Sequence, residues 1–146
     1  MHQTFMKAAL SEALNSRKEG GIPVGSVLVH QGRIISRGRN QRVQEDSAIL
    51  HADLSTIANA GRMPVEIYQE SILYTTLSPC PMCAGAILLY KIPHVVIGEN
   101  KNFKGSEALL LANGVKVEVL DEQDCVKLMY NFINTEPELW YEDIAI

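Results

Sequence analysis

The sequence predicts a three-layer α/β/α sandwich, in which a central mixed sheet of about five strands carries helices on both faces. Segments with helical and with strand periodicity alternate along most of the chain, and this alternation favours a sheet covered on both sides. A chain of 146 residues with 47% hydrophobic content is also long enough to bury one core. Residues 1–146 are therefore expected to form a single domain.

A helix and a β-hairpin are predicted near the start of the chain. Apolar residues between Phe5 and Leu14 recur at spacings of three and four, the period of a helix with one buried face. The stretches 24–29 and 33–37 are joined by the short polar turn His30-Gln31-Gly32. They are expected to pair as the two strands of a hairpin.

The middle of the chain is predicted to form a helix, a strand and a second helix. Residues 50–60 have helical character up to Gly61, which places His51 near the helix start. Residues 71–76 are rich in β-branched side chains and predict a strand. Prolines suit the first turn of the following helix, over residues 79–90.

The last part of the chain continues the alternation of strands and helices. Residues 94–98 predict a strand, and residues 106–112 predict a short helix. A further strand over 115–120 precedes a helix over 122–134, for which Asp121 is a plausible N-cap. The pattern thus supplies the five strands of the predicted sheet.

The charge and the N-terminal residues limit the classes of function. Lysine and arginine total 13 against 17 aspartate and glutamate, a formal net charge of −4, so the basic surface of a phosphate-backbone binder is missing. Polar residues interrupt the apolar ones over residues 1–14, which resemble neither a signal peptide nor a membrane span. We expect a cytoplasmic protein that binds a small molecule and neither nucleic acid nor a membrane.

Three residues form a candidate metal site. His51 and the C-x-x-C pair of Cys80 and Cys83 each open a predicted helix. Catalytic zinc sites use three protein ligands of this kind and keep a fourth position for water. Helix N-termini also favour thiolate over thiol. The sequence therefore predicts one catalytic Zn²⁺ ion per subunit.

Asp53 is the candidate proton shuttle. It follows His51 by two positions and is expected near the open metal position. Zinc lowers the pKa of a bound water to about 7 and so makes hydroxide available. A carboxylate that is not a ligand can take the water proton and return it to a ring nitrogen and then to a leaving amine. This chemistry is hydrolytic deamination of an amino-heterocycle.

Other interpretations of the cysteines and histidines have to be weighed. Taken alone, a C-x-x-C pair is also typical of a structural zinc half-site or a redox pair. A structural zinc site needs a fourth protein ligand, and we interpret His2, His30 and His94 as surface or packing residues. Cys125 lies on the apolar face of its predicted helix and is interpreted as a small core residue.

Several motifs together resemble the zinc-dependent cytidine and deoxycytidylate deaminase superfamily, and within it the fungal-type cytosine deaminases. A histidine, any residue and an acid, followed by P-C-x-x-C, match residues 51–53 and 79–83. The branch is indicated by Gly38-Arg39-Asn40, Gly98-Glu99-Asn100 with Asn102-Phe103, and Trp140-Tyr141-Glu142-Asp143-Ile144. The similarity extends from about Gly20 to the C-terminus. One position differs from the superfamily pattern: the superfamily has Glu where this sequence has Asp53.

The resemblance implies a fold of the cytidine deaminase type and roles for individual residues in binding a free base. Asn40 would hydrogen-bond the ring edge, with the backbone amides of Ala52 and Cys80 helping to hold it. The Ser78 carbonyl would accept the amino group, and Asp143 would lie on the same side. An apolar lid that leaves little room for a ribose would be formed by Phe103, Trp140 and Ile144.

The predicted activity is hydrolysis of cytosine to uracil and ammonia. Isocytosine, guanine or a triazine-like amino-heterocycle is an alternative substrate for the same chemistry. A zinc protein that binds its base without efficient turnover is a further alternative, because Asp53 is one methylene shorter than Glu. The acidic charge disfavours an RNA-editing deaminase. The apolar run Ile87-Leu88-Leu89-Tyr90 is either part of the core or a contact surface for a second subunit. The resemblance implies a homodimer.

Overall fold

The computed structural model describes all of residues 1–146 and contains seven helices and five strands. The helices are α1 (His2–Lys18), α2 (Ala52–Ala60), α3 (Val65–Gln69), α4 (Pro81–Leu89), α5 (Glu107–Ala112), α6 (Gln123–Thr135) and α7 (Pro137–Asp143). The strands are β1 (Gly25–His30), β2 (Arg33–Arg39), β3 (Ser71–Leu77), β4 (His94–Glu99) and β5 (Lys116–Val119). None of these helices combines the length and the apolar character needed to cross a membrane.

The five strands form one mixed sheet in the order β2-β1-β3-β4-β5. β1 pairs antiparallel with β2 and β3, whereas β3, β4 and β5 run parallel to one another. The parallel strands require helical crossovers, which α4 and α5 supply. The segments that follow β3 and β4 therefore meet at one edge of the sheet, where ligand sites form in folds of this kind.

Helices cover both faces of the sheet because the central strands are apolar on both sides. On one face, α2 to α5 pack against Leu28, Leu73 and their neighbours. On the other face, α1 and α6 pack against Val27 and Tyr74. Adjacent strand residues point to opposite faces, so strands buried on both sides have continuous apolar sequences. The predicted three-layer fold is confirmed, as is the prediction that Cys125 is a core residue, since it is 1% exposed.

The structure differs from the predicted elements in three places. The short helix α3 and the C-terminal helix α7 were not predicted. The prediction that Asp121 caps α6 is wrong, because Asp121 has a φ of 57° and the N-cap residue is Glu122. An N-cap needs extended backbone angles, whereas Asp121 is left-handed and pairs with Lys101 at 3.1 Å.

Candidate active site

The predicted metal ligands lie at the starts of two helices that pack on the same face of the sheet. His51 and Cys80 are the N-cap residues of α2 and α4, and Cys83 lies in the first turn of α4. Pro81 occupies the first helical position, where its missing N–H costs no hydrogen bond. The backbone N–H groups of Ala52 and Cys80 likewise have no intrahelical acceptor and remain available as donors.

The imidazole and the two thiols converge. Nδ1 of His51 lies 3.3 Å from Sγ of Cys80 and 3.7 Å from Sγ of Cys83. The three ligand atoms all lie within 4.8 Å of one another. Nε2 of His51 faces Oδ1 of Asp143 at 3.3 Å, and such a carboxylate partner fixes the ring with Nδ1 toward the metal position. One nitrogen and two sulfur ligands fit a catalytic zinc ion with a fourth position left for water.

The protonation of these side chains is strongly coupled. The hydrogen bonds with Cys83 and His51 outweigh burial and lower the pKa of Cys80 to about 4. The hydrogen bond with Cys80, together with burial, raises the pKa of Cys83 well above its usual value. Burial lowers the pKa of His51, but its contacts with Asp143 and Cys80 prevail and raise it to about 10. Binding of a divalent cation must therefore release protons from this cluster.

Asp53 lies in the first turn of α2 and is 3% exposed. Its Oδ1 atom has no hydrogen-bond partner within the protein. Burial raises the pKa of this carboxyl to about 6, although the neighbouring hydroxyls of Thr75 and Ser26 act in the opposite direction. A buried carboxyl with a free oxygen and a pKa near neutrality is suited to accept a proton and return it.

A cleft that is partly open to solvent lies over Asp53 and the three candidate metal ligands. The residues predicted for the site all line it: Asn40, His51, Ala52, Asp53, Ser78, Cys80, Cys83, Phe103, Trp140, Asp143 and Ile144. Val24, Leu77 and Pro79 also line the cleft and were not predicted. Pro79 could have been predicted to line the cleft, because it directly precedes the candidate ligand Cys80. Val24 and Leu77 lie beside or at the ends of strands, where sequence alone does not distinguish them from core residues.

Asn40 and Asp143 connect the cleft wall to the C-terminal helix. Nδ2 of Asn40 donates to Oδ1 of Asp143 at 2.9 Å, the same oxygen that faces His51. Oδ1 of Asn40 accepts from the backbone N–H of Arg42 at 3.0 Å, and its carbonyl oxygen accepts from the Ser16 hydroxyl at 2.6 Å. Asn40 is 1% exposed, so its orientation is fixed by these bonds.

A buried network behind the cleft fixes the segment before Cys80. The Ser78 hydroxyl donates to Oε2 of Glu107 at 2.6 Å and accepts from the N–H of Gly105 at 2.9 Å. Asn100 donates to both carboxylate oxygens of Glu107 at 3.2 Å. The Ser78 N–H donates to a carbonyl of β4, so its carbonyl oxygen is the group left for a ligand. The contributions of Glu107 and Asn100 were not predicted, because no local pattern links them to Ser78.

The predicted apolar lid residues lie together in the wall of the cleft. The rings of Phe103 and Trp140 meet edge to face, with their centroids 5.9 Å apart. Trp140 is buried, and Ile144 packs on the same cluster with Phe132 of α6. The C-terminal segment that carries Trp140 is therefore a helix docked on α6, which holds the lid in place.

Comparison with known proteins identifies the family of this chain. The family model for the zinc-binding region of cytidine and deoxycytidylate deaminases matches residues 1–99. The chain belongs to the cytidine and deoxycytidylate deaminase family. It is a hydrolytic deaminase with a zinc-binding domain, and His51, Cys80 and Cys83 form its candidate zinc site.

Relatives of this deaminase act on different substrates. It is 49% identical to a cytosine deaminase of Candida albicans over 141 residues, which cover 96% of this chain and 94% of the relative. It is 40% identical to a tRNA-specific adenosine deaminase of Streptococcus pyogenes over 139 residues, 88% of this chain and 87% of the relative. A solved structure from work on tRNA:A34 deaminases has a TM-score of 0.72 and 28% identity, and covers 86% of this chain and 99% of that chain.

Proposed function

We propose that this deaminase converts free cytosine to uracil and ammonia. The observation that carries the proposal is that Phe103, Trp140 and Ile144 line the cleft as one apolar cluster. As a lid over a base, this cluster would leave little room for a sugar. The cleft is small and lined mainly by apolar side chains, which suits a compact heterocycle. The similarity to the Candida albicans cytosine deaminase includes 96% of this chain, which further supports a free base.

The polar groups of the cleft hold the base by its edge. The Asn40 amide faces the ring edge, and the backbone N–H groups of Ala52 and Cys80 are donors to the other ring atoms. The Ser78 carbonyl accepts the amino group of the base, with the Asp143 carboxylate on the same side. Because these groups are buried and fixed by the protein, they orient the reacting carbon toward Asp53.

Asp53 moves the protons of the reaction. Zinc, when bound by His51, Cys80 and Cys83, supplies Lewis-acid activation of water at neutral pH. The Asp53 carboxylate accepts a water proton and passes it to the ring nitrogen beside the amino-bearing carbon. Once the water oxygen has bonded to that carbon, Asp53 takes the second proton from the new hydroxyl and donates it to the amino group, so the C–N bond breaks as the C=O bond forms. The amino group departs as ammonia, and uracil remains.

RNA editing is the second candidate, because a tRNA-specific adenosine deaminase is 40% identical to this chain. The formal net charge of −4 opposes it, since binding of a phosphate backbone depends on clustered positive charge. The docked helix α7 opposes it as well, because a polynucleotide would have to pass the lid. Other free bases, such as isocytosine or guanine, remain compatible with the same catalytic groups.

The proposal is tested by measuring ammonia release from a panel of substrates. The panel contains cytosine, isocytosine, guanine, an aminotriazine, cytidine and an adenosine-containing tRNA stem-loop, each assayed with zinc-loaded protein. We expect the highest kcat/KM on cytosine and no detectable turnover of cytidine or RNA. A higher kcat/KM on another base would reassign the substrate, and turnover of the stem-loop would contradict the role of the lid.

We also propose that the protein acts as a homodimer. Leu89 at the end of α4 and Leu109 and Leu111 on α5 are 69%, 45% and 58% exposed. Large apolar side chains exposed on adjacent helices are typical of a protein-binding surface. A second copy is the occupant that the resemblance to fungal-type cytosine deaminases supports.

A further inference from the structure

We propose that His2, His94 and Glu118 form a second site for a divalent transition-metal ion, separate from the deaminase cleft. Nε2 of His2 lies 3.0 Å from Oε2 of Glu118, and Nε2 of His94 lies 2.5 Å from the same oxygen. The three possible ligand atoms all lie within 4.8 Å of one another. The residues are far apart in the sequence, so folding alone brings them together.

The position of this cluster follows from the register of the sheet. His94 begins β4, and Glu118 of β5 is paired with Val96. Residues two apart on a strand share a face, so His94 and Glu118 lie on the face that α1 covers, where His2 begins the helix. The deaminase cleft lies beyond the opposite ends of the parallel strands. The length of β4 alone separates the two sites by roughly 17 Å.

The side chains match the coordination chemistry of Zn²⁺, Co²⁺ and Ni²⁺. Two imidazole nitrogens and a carboxylate oxygen are ligands that these ions accept, with the remaining positions filled by water. Nδ1 of His2 is hydrogen-bonded to the Tyr74 hydroxyl at 2.6 Å, which orients the ring with Nε2 toward Glu118. The hydrogen bonds from His94 and His2 hold the pKa of Glu118 below its usual value, so the carboxylate is ionised at neutral pH.

The exposure of the three side chains is suited to reversible binding. Their exposed fractions are 33% for His2, 16% for His94 and 35% for Glu118, so an ion has access and can keep water ligands. β5 is an edge strand that pairs only with β4. A metal ion at this site would connect the start of α1 to β4 and β5, and it would stabilise the folded chain by binding it preferentially.

Metal stoichiometry tests this proposal, with protein that carries no histidine tag. Protein holding one equivalent of zinc is titrated with Co²⁺ and Ni²⁺ in a calorimeter, and the bound metal is counted after gel filtration. We expect a second equivalent to bind and to raise Tm by several degrees. The Co²⁺ spectrum of this second equivalent should lack a thiolate charge-transfer band, because the site contains no cysteine.

Variants identify the site that binds the second equivalent. His2→Gln with His94→Gln should reduce the stoichiometry from two to one and leave the zinc content and deaminase activity unchanged. Glu118→Gln provides a second test should the double variant fold poorly. His30→Gln is the matched control, since His30 pairs with Glu70 at 3.2 Å without a second imidazole. A parent protein that binds only one equivalent, or a second equivalent retained in the His2/His94 and Glu118 variants, would overturn the proposal.

Discussion

Asn40 is the side chain that we propose to recognise the edge of the base. It is 1% exposed, and its amide nitrogen donates to Asp143 at 2.9 Å. Replacing Asn40 with alanine removes a hydrogen bond from a desolvated cleft and leaves Asp143 without this donor. We expect Asn40→Ala to weaken the binding of a cytosine analogue by about 1–3 kcal/mol, measured by calorimetry.

The matched control for Asn40→Ala is Asn59→Ala. Asn59 lies at an exposed position of α2, outside the cleft, and its side chain donates to the backbone carbonyl of Arg37. Its replacement should leave both analogue binding and zinc content unchanged. If the Asn40→Ala variant bound the analogue as tightly as the parent protein, Asn40 would not contribute to binding of the base.

Among individual residues, the sequence was most informative for those that belong to a local motif. His51, Cys80 and Cys83 could be predicted because each lies at the start of a helix with a readable N-terminus. Glu107 and Asn100 could not, because they reach Ser78 only through the connection after β4. Contacts of this kind depend on tertiary structure and have no spacing that a sequence displays.

Helix α7 forms part of the cleft wall and carries part of the proposed lid. It carries Trp140 and Asp143, and its deletion removes most of the apolar lid together with the partner of Asn40. We expect a chain truncated before Glu138 to lose tight binding of cytosine analogues, because the base would then be exposed to water. The zinc content should persist, since the three ligands lie on α2 and α4.

Binding of a labelled analogue and elemental analysis measure these two outcomes together. Tyr141→Ala in the full chain is the control, because Tyr141 also belongs to α7 but is 47% exposed. It should bind the analogue like the parent protein. A truncated protein with undiminished affinity would show that α7 is not the lid.

A substitution at Gly105, in the connection before α5, tests how tightly the segment around Ser78 is packed. A Cβ atom on Gly105 would lie 1.9 Å from the carbonyl oxygen of Pro79, so alanine cannot fit without displacing the backbone. We expect Gly105→Ala to lower both Tm and kcat/KM, since Pro79 precedes the ligand Cys80. Ser106→Ala is the control, because the Ser106 side chain makes no capping hydrogen bond. A Gly105→Ala protein with the Tm and activity of the parent would contradict this fit.

Elements with strong periodicity were predicted well, and short ones were not. The helical spacing after Phe5 and the apolar runs of the strands identify α1 and the sheet, because burial imposes those periods. Helices α3 and α7 have five and seven residues, too few for a period to be visible. Their stability comes from packing, as Tyr68 and Trp140 are both buried.

The arrangement of the whole molecule explains why the site forms where it does. Three parallel strands direct the segments after β3 and β4 to one edge of the sheet, and α2 and α4 begin beside it. The helix starts supply unpaired backbone N–H groups and favour thiolates at the same place. Alternation of helices and strands was sufficient to predict the layers. The strand order was not predicted, because pairing depends on contacts between distant segments.

The proposed homodimer is tested by a substitution at the exposed Leu89. Glutamate in place of Leu89 would put an unpaired charge into the apolar surface of α4 and α5, so we expect Leu89→Glu to dissociate the protein. Sedimentation equilibrium should give about twice the chain mass of 16.2 kDa for the parent and the single chain mass for the variant. Leu14→Glu, at an exposed leucine of α1, should remain dimeric. A parent protein that sediments as one chain would contradict the dimer.

Asp53 is proposed to be the proton shuttle of a cytosine deaminase, and a series of Asp53 variants tests this role. Asp53 is one methylene shorter than the glutamate of the superfamily, which shortens its reach by roughly 1.5 Å. A displacement of about 1 Å at a reacting group can cost about a hundredfold in rate. Asp53→Glu should therefore raise kcat/KM on cytosine substantially, and Asp53→Ala should abolish turnover.

The measurement is kcat/KM for release of ammonia from cytosine by the parent, Asp53→Glu and Asp53→Ala proteins, with zinc content determined on the same samples. The role of Asp53 as proton shuttle predicts equal zinc content in all three proteins, the highest activity for Asp53→Glu, lower activity for the parent and none for Asp53→Ala. Undiminished activity of the Asp53→Ala protein at full zinc content would contradict it.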